Sequence, residues 1–312
     1  MQHVYGLESL QLDRPSLVTI GVFDGVHRGH QALIAQLVAR AHADQQLAVI
    51  VTLFPHPDLV LRNLTGRYYL TTPDEQAELL GGLGVDCVVT LPFNDATRMI
   101  RAAEFVTQLR THLRMAGLWI TRDFALGYQR EGNFEFLAAQ GQLYGFDVRE
   151  ISILIDAQGT RISSTEIREL LKQGAVERAA ELLGRPYLLR GPVVHGDQRG
   201  RQLGFPTANV QTWDEQILPA NGVYACLAQI GDQRYQAMTN VGVRPTFNGI
   251  DTRVEAYLID FSGDLYDQIL SVIFIAHLRP ELKFDNLDAL IAQMHADTAR
   301  GREILAAYEH AR

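Results

Sequence analysis

His27 and His30 stand three residues apart in GVFDGVHRGH, Gly21 to His30, with Gly29 between them. An apolar run ends within the first residues of this stretch and a helical pattern starts just after it. Strand-to-helix turns of this kind aim the unpaired N–H groups of a helix start at anions. Histidines there donate hydrogen bonds to phosphate oxygens and, when cationic, offset charge in phosphoryl transfer. Their spacing on a first helical turn projects both rings to one side, and Gly29 lets a nucleotide approach the backbone closely. The plain alternative is a pair of exposed polar residues beside an N-cap. A G-x-x-x-x-G-K-[ST] loop is absent, and no third ligand lies nearby for zinc.

A second group of candidates is RISSTEIRELL, Arg161 to Leu171. Ser163 and Glu166 have capping-box spacing, and Ser164 and Thr165 offer hydroxyls at the same helix start. Arg168 follows one turn later, within reach of a phosphate above the N-terminus. An ordinary capped surface helix explains the same residues.

The third is GPVVHGDQRGRQLGFPTANV, 191–210, where Gly191, Gly196, Gly200 and Gly204 mix with His195, Arg199 and Arg201. Glycines free a backbone to wrap an anion while basic side chains attract it. Thr207 and Asn209 then present two neutral oxygen donors at i and i+2, the same side of an extended segment. Such a pair completes a Mg²⁺ shell otherwise made of water and phosphate oxygens. A turn rich in glycine and proline is the simpler account. In RVEAYLIDF, Glu255 shares a strand face with Arg253, Tyr257 and Ile259. It reads either as a general base for a hydroxyl or as half of an ion pair with Arg253.

The elements that must position these residues change character along the chain. Up to residue 185, strand and helix alternate: LVTIGVF (17–23), a helix with Leu33, Ile34, Leu37, Val38 and Ala41 on one face, then the continuous apolar LAVIVTLF (47–54). TTPDEQAELLGGLG opens a helix with Thr72 as cap, Pro73 in the first turn and Glu75 closing a capping box. VDCVVTL, LWIT (118–121) and DVREISILI (147–155) continue as strands, with helices between them. This rhythm predicts a right-handed, doubly wound parallel sheet. Two short helices stopped by Gly174 and Gly184 follow, and RPYLLRGPV breaks the pattern. Beyond it, GVYACLAQI, RYQAMTNV, RVEAYLIDF and ILSVIFIAHL are short alternating runs between turn signals, the composition of an antiparallel barrel. A helix over roughly 285–310 ends the pattern. The expected domains are 1–185 and 186–312.

At 312 residues, 47% of them apolar, the chain has the length and composition of a globular protein of about two domains. Its formal charge of −8 argues against a broad basic surface for nucleic acid or membrane. No apolar run reaches the roughly 18 residues of a membrane span. The opening MQHVYGLESLQLDRP lacks a secretory pattern, so a cytoplasmic setting is expected. Cys87 and Cys226 lie far apart in apolar contexts and read as buried thiols. His42, His112, His277, His295 and His310 have no partner pattern, and Trp119 and Trp213 read as packing residues.

Taken together, GVFDGVHRGH and ISSTEIR resemble the nucleotidyltransferases with an H-x-G-H signature, and more narrowly the adenylyltransferase module of bacterial bifunctional riboflavin kinase/FAD synthetases. FPHP (54–57) and DFALGYQREG (123–132) stand where that family has further blocks. GRQLGFPTAN, GVYA, NVGVRPTF, VEAYLIDF and LRPELKF follow the order of its riboflavin kinase module across nearly all of 186–312. Three positions depart: Ala125 and Leu126 replace an arginine and an aromatic, and Asp267 replaces a glycine.

The resemblance implies an α/β nucleotidyltransferase domain with a Rossmann-like parallel sheet, then a six-stranded antiparallel β-barrel kinase domain with a C-terminal helix. It implies that riboflavin is phosphorylated to FMN and that FMN is adenylylated to FAD, with ATP as co-substrate and Mg²⁺ as cofactor. His27, His30 and Arg168 would act on the adenylyl-transfer phosphates and Glu255 on the ribityl hydroxyl. Phe23, Gly29, Asp123, Ser163, Ser164, Thr165, Gly196, Gly204, Thr207 and Asn209 would bind nucleotide, the last two through the metal. Phe54, Pro55 and Pro57 would line the flavin side. Riboflavin, FMN and ATP are the expected partners, without nucleic acid or membrane and with room for self-association. Three rivals stay open at this point: another H-x-G-H transferase, an aminoacyl-tRNA synthetase relative, and a flavin-binding regulator with an inactive site.

Overall fold

The computed structural model describes residues 1–8, 10–151, 162–196, 200, 204–246 and 249–311. The end of the strand expected over 147–155, and Arg161, Arg199 and Arg201, lie outside the described residues. Two compact units emerge: Met1–Gly66 with Leu70–Ser164, and Arg67–Tyr69 with Thr165–Arg312.

In the first unit, strands β1 (Gln2–Tyr5), β2 (Ser16–Ile20), β3 (Leu47–Phe54), β4 (Cys87–Pro92), β5 (Met115–Ile120) and β6 (Asp147–Glu150) form one parallel sheet. Their order is β1-β4-β3-β2-β5-β6. The apolar runs have no polar alternation because both faces are covered. Val18, Ile20, Val49, Val51 and Val89 belong to one buried cluster, while Leu17, Ala48, Ile50 and Val88 belong to another. Helices α1 (Arg28–Ala43) and α3 (Pro73–Gly82) close the second cluster with Ile34, Leu37, Ala77 and Leu80. Helices α4 (Ala102–Leu113) and α5 (Phe134–Tyr144) close the first with Val106, Leu109 and Leu137. The short helix α2 (Pro57–Arg62), which periodicity does not announce, buries none of its residues. The connection after β2 runs to β3 on one side, while β5 joins β2 on the other. The carboxyl ends of β2 and β5 therefore flank the switch point where such sheets bind ligands.

In the second unit, strands β7 (Tyr187–Val194), β8 (Ala208–Val210), β9 (Gly222–Ile230), β10 (Gln233–Thr246), β11 (Gly249–Leu258) and β12 (Ile269–Arg279) close into an antiparallel barrel of order β10-β11-β8-β7-β12-β9. Both barrel strands missing from the sequence pattern have reasons to hide. β7 contains Pro192, and β8 is three residues long. The final helix, α8 (Leu287–His310), lies against the barrel over Ala225, Leu227, Met238 and Leu278. Gly301 makes that approach possible, since a Cβ there would run into the Met238 thioether.

Helices α6 (Ser164–Lys172) and α7 (Val176–Leu183) pack with this second unit. Leu171 accepts the Ala220 N–H at 2.9 Å, and Glu177 accepts the His277 N–H at 3.0 Å. The packing division thus falls at Ser164/Thr165, upstream of the change in composition near 185. Periodicity marks where strands change type, not which core a flanking helix joins.

Candidate active sites

The segment between β2 and α1 bends through left-handed backbone at Phe23 (φ 52°), Gly25 (φ 77°) and Val26 (φ 41°). A buried β-branched residue in that region is held by its surroundings, and such positions cluster at functional sites. Asp24, 3% exposed, supplies part of that hold: its carboxylate accepts the Leu70 N–H at 2.9 Å and the Thr71 N–H at 3.3 Å. Ser164 donates its hydroxyl to the Asp24 carbonyl oxygen at 2.8 Å.

This bend forms one wall of a cleft of about 260 Å³ at the carboxyl ends of β2 and β5. Phe23, His27, Gly29, His30, Ser163 and Ser164 all line it. His27 is the N-cap of α1, and its Nδ1 accepts the His30 N–H at 3.3 Å. An accepting Nδ1 puts the proton of a neutral ring on Nε2, the form that donates to an anion. The two imidazoles stack at 3.6 Å with their planes 19° apart, and Phe23 meets His30 edge-on at 5.1 Å. Two imidazoles and two hydroxyls thus line one cleft at a helix start, a set of groups that can donate to an anion.

Other expected residues lie elsewhere. Asp123 is exposed and accepts the Thr121 hydroxyl at 2.7 Å, while its neighbours Thr121 and Phe124 line the cleft. Phe54, Pro55 and Pro57 follow from the end of β3 into α2, outside the lining. Thr165 and Arg168 belong to the second unit. There Arg168, 6% exposed, donates from Nε to the Tyr68 carbonyl oxygen at 2.7 Å and lies 4.0 Å from that tyrosine's ring centroid. Leu126 is buried in the first unit's core and exchanges backbone hydrogen bonds of 3.1 and 2.9 Å with Gly132. The departure at this position therefore sits on a packed residue.

Glu255 occupies the middle of a row across the barrel. It is the register partner of Asn209 on β8 and of Asn240 on β10, so two carboxamides flank the carboxylate. Glu255 and Asn240 both line a cleft of about 630 Å³ that also touches α8 at Met294 and Asp297. Phe205, Tyr257 and Phe284 give this cleft aromatic walls. Thr207 lines it too, and equally lines a second cleft of about 560 Å³ bordered by Ala208, Ala256 and Tyr266. Gly196 packs so closely on Asn209 that a Cβ would overlap its amide. Gly204 turns the chain at φ 80°, three residues before Thr207.

Sequence reasoning missed Asn240 and the pair of Arg279 with Asp297. Asn240 opens the NVGVRPTF block, but only the ladder register puts it beside Glu255. Arg279 donates to Asp297 Oδ1 at 3.1 Å and to Oδ2 at 2.9 and 2.7 Å in the wall of the larger cleft, and Gln293 adds a bond of 2.8 Å to Oδ1. The two thiols are buried as expected, and burial pushes Cys87 up to about 11 and Cys226 up to about 12.

Family comparison assigns this architecture to flavin nucleotide transferases. The FAD synthetase model matches residues 9–166 and the riboflavin kinase model residues 183–305. A Pseudomonas fluorescens protein described as bifunctional riboflavin kinase/FMN adenylyltransferase is 40% identical over 99% of this chain and 100% of its own length. A protein of the same description from Escherichia coli (strain K12) is 38% identical over 92% of each chain. The chain belongs to the bifunctional riboflavin kinase/FMN adenylyltransferase family. A crystal structure titled as a macrolide-efflux protein from Streptococcus pneumoniae superposes with a TM-score of 0.85 at 30% identity, covering 97% of this chain and 99% of that one. Among the described residues, no helix is long and apolar enough to cross a membrane.

Proposed function

We propose that the two activities of this family are divided between the two kinds of cleft. The chain is an enzyme that converts riboflavin to FMN and FMN to FAD. On our reading, residues 1–185 carry adenylyl transfer and residues 186–312 carry the kinase reaction.

In the barrel, the aromatic 630 Å³ cleft suits a flat flavin ring and the 560 Å³ cleft suits ATP. The observation that carries this reading is Thr207, which stands in the wall of both clefts. The reacting hydroxyl and γ-phosphate meet beside it. Glu255 accepts the proton of the ribityl 5′-hydroxyl as its oxygen bonds to the γ-phosphorus and ADP leaves. Asn209 and Asn240 orient the Glu255 carboxylate from either side. Mg²⁺ fits the donors present: Thr207 and Asn209 offer hard neutral oxygens, and the glycine backbone at 196 closes on the Asn209 amide. When bound, the ion offsets charge on the ATP phosphates. Gly196 and Gly204 leave the backbone room to cover those phosphates.

In the sheet domain, an FMN phosphate oxygen attacks the α-phosphorus of ATP and pyrophosphate leaves. The nucleophile is already an anion, so positioning and charge stabilisation suffice. His27 and His30 donate to the phosphates from the start of α1. Ser163 and Ser164 hold the leaving pyrophosphate, and Phe23, Gly29 and Asp123 hold the rest of the nucleotide. Phe54, Pro55 and Pro57 receive the flavin. Riboflavin, FMN and ATP are the only partners this chemistry requires. The setting is cytoplasmic, where thiols such as Cys87 and Cys226 stay reduced.

The test is a time course with riboflavin and Mg–ATP, the flavins being separated by chromatography. FMN should appear first and FAD later. His27→Ala should stop the second product and Glu255→Ala the first, while FMN supplied directly to Glu255→Ala is still converted. Loss of FMN formation in His27→Ala, or failure of Glu255→Ala to adenylylate supplied FMN, would sink the division.

A further inference from the structure

Val22 stands in the wall of the sheet cleft, immediately before the left-handed Phe23. Its carbonyl oxygen accepts the Gln76 side-chain N–H at 2.6 Å and the Thr52 hydroxyl at 2.9 Å. Thr52 Oγ1 also lies 3.4 Å from Gln76 Oε1, which joins the two side chains into one unit. Thr52 is 1% exposed on β3, and Gln76 is 7% exposed on α3. Their neighbours Ile50, Val51, Ala77 and Leu80 are all buried apolar residues. Two buried polar side chains brought from separate elements to a single carbonyl oxygen are therefore a specific device, since apolar residues would fill the same space.

The geometry of the peptide says what the device fixes. In a trans peptide the C=O and the following N–H point in opposite directions. Holding the Val22 oxygen towards Thr52 and Gln76 turns the Phe23 N–H away from them. Phe23 lines the cleft together with His27 and His30. We infer that Thr52 and Gln76 are positioning residues for adenylyl transfer, locking the Val22–Phe23 peptide so that the Phe23 N–H faces the reacting phosphates. The inference rests on the reading of this cleft as the adenylyl-transfer site.

The full-length enzyme provides its own internal control, because the kinase reaction of the same preparation reports on folding. Removing one preorganised donor costs about 10²–10³ in kcat, and misaiming it costs less, about 10-fold. Gln76→Leu and Thr52→Val should each lower kcat for FMN adenylylation by about that factor, with KM for ATP and the kinase rate within about twofold of the parent. Thr52→Ser keeps the hydroxyl and should run near the parent rate. The double variant should lose little more than Gln76→Leu alone, because both groups serve one carbonyl. Unchanged adenylylation in both single variants, or a parallel fall of both activities with earlier melting, would overturn the inference. His27→Ala, measured alongside, separates the two claims: if it leaves FAD formation intact, the reading of the cleft fails first. If it stops FAD formation while Gln76→Leu and Thr52→Val do not, only the inference fails.

Discussion

On the proposed division of activities, the two kinds of cleft solve phosphate chemistry with different materials. At the sheet, donors do the work: helix N–H groups, stacked imidazoles and hydroxyls around about 260 Å³, with the Asp24 carboxylate engaged by the Leu70 and Thr71 amides. At the barrel, the Glu255 carboxylate shares a cleft with aromatic walls and has Asn209 and Asn240 as register partners. The difference follows from the nucleophile. A phosphate needs no base, whereas an alcohol must lose its proton as it attacks. A site that only gathers anions is built from many replaceable donors. A site that moves a proton depends on one residue.

That contrast predicts unequal sensitivity, and the largest effect belongs to Glu255, the proposed base. Glu255→Gln keeps the shape of the side chain but removes its basicity. It should lower the kinase kcat by roughly 10²–10⁴-fold, with little change in KM for riboflavin. His27→Asn and His30→Asn should each cost FMN adenylylation about 10²-fold. Their combination should fall well short of the product, because the stacked rings act as a unit. Steady-state kinetics of both half-reactions decide the matter. A Glu255→Gln enzyme that still phosphorylates riboflavin within about tenfold of the parent would erase the distinction.

The next effect is on stability and is confined to the barrel. Arg279 and Asp297 are 15% and 10% exposed and joined at 2.7 Å. Removing one partner strands the other charge, which costs about 3–5 kcal/mol when a pair is buried. Asp297→Ala should therefore shift the denaturant midpoint for loss of kinase activity well below the parent's. The midpoint for adenylylation should move far less. Equal shifts would show that the ion pair is not specific to the barrel.

Legibility in the sequence divides along the same line. The histidine cleft was readable because its parts are neighbours in the chain: strand end, turn and helix start occupy Gly21 to His30. The sheet itself was readable because burial on both faces writes continuous apolar runs such as LAVIVTLF. Barrel residues are assembled by register, so Asn240 beside Glu255 has no local signature. Pro192 disguised a barrel strand, since proline ordinarily argues against one. Gln76 was legible as part of a capped helix, but its reach to the Val22 carbonyl was not, because that contact depends on how α3 sits over β3. The boundary near 185 marks a real change of pattern, yet α7 packs with the barrel because Val176, Ala179 and Leu183 need an apolar partner.

The smallest predicted effect concerns the loop that departs from the family pattern. Glu131 is held below its ordinary value of 4.5, chiefly by its hydrogen bond with Arg101 and next by the Ala102 N–H at 2.7 Å. A depressed carboxylate contributes stability that is complete above its unfolded value and is lost as the pH falls through its folded value. Acidification below about pH 4 should therefore loosen this loop before the buried core responds. Amide protection at Leu126 and Gly132, whose backbones bond to each other, is the direct readout. Glu131→Gln should lower that protection at neutral pH and remove its dependence on acid. Both residues are exposed enough for salt to screen the pair, so the rate of FAD formation should change by no more than about twofold. A larger loss would mean that the loop contributes to the chemistry directly. The cleft would then depend on a particular side chain, as we propose the barrel does on Glu255.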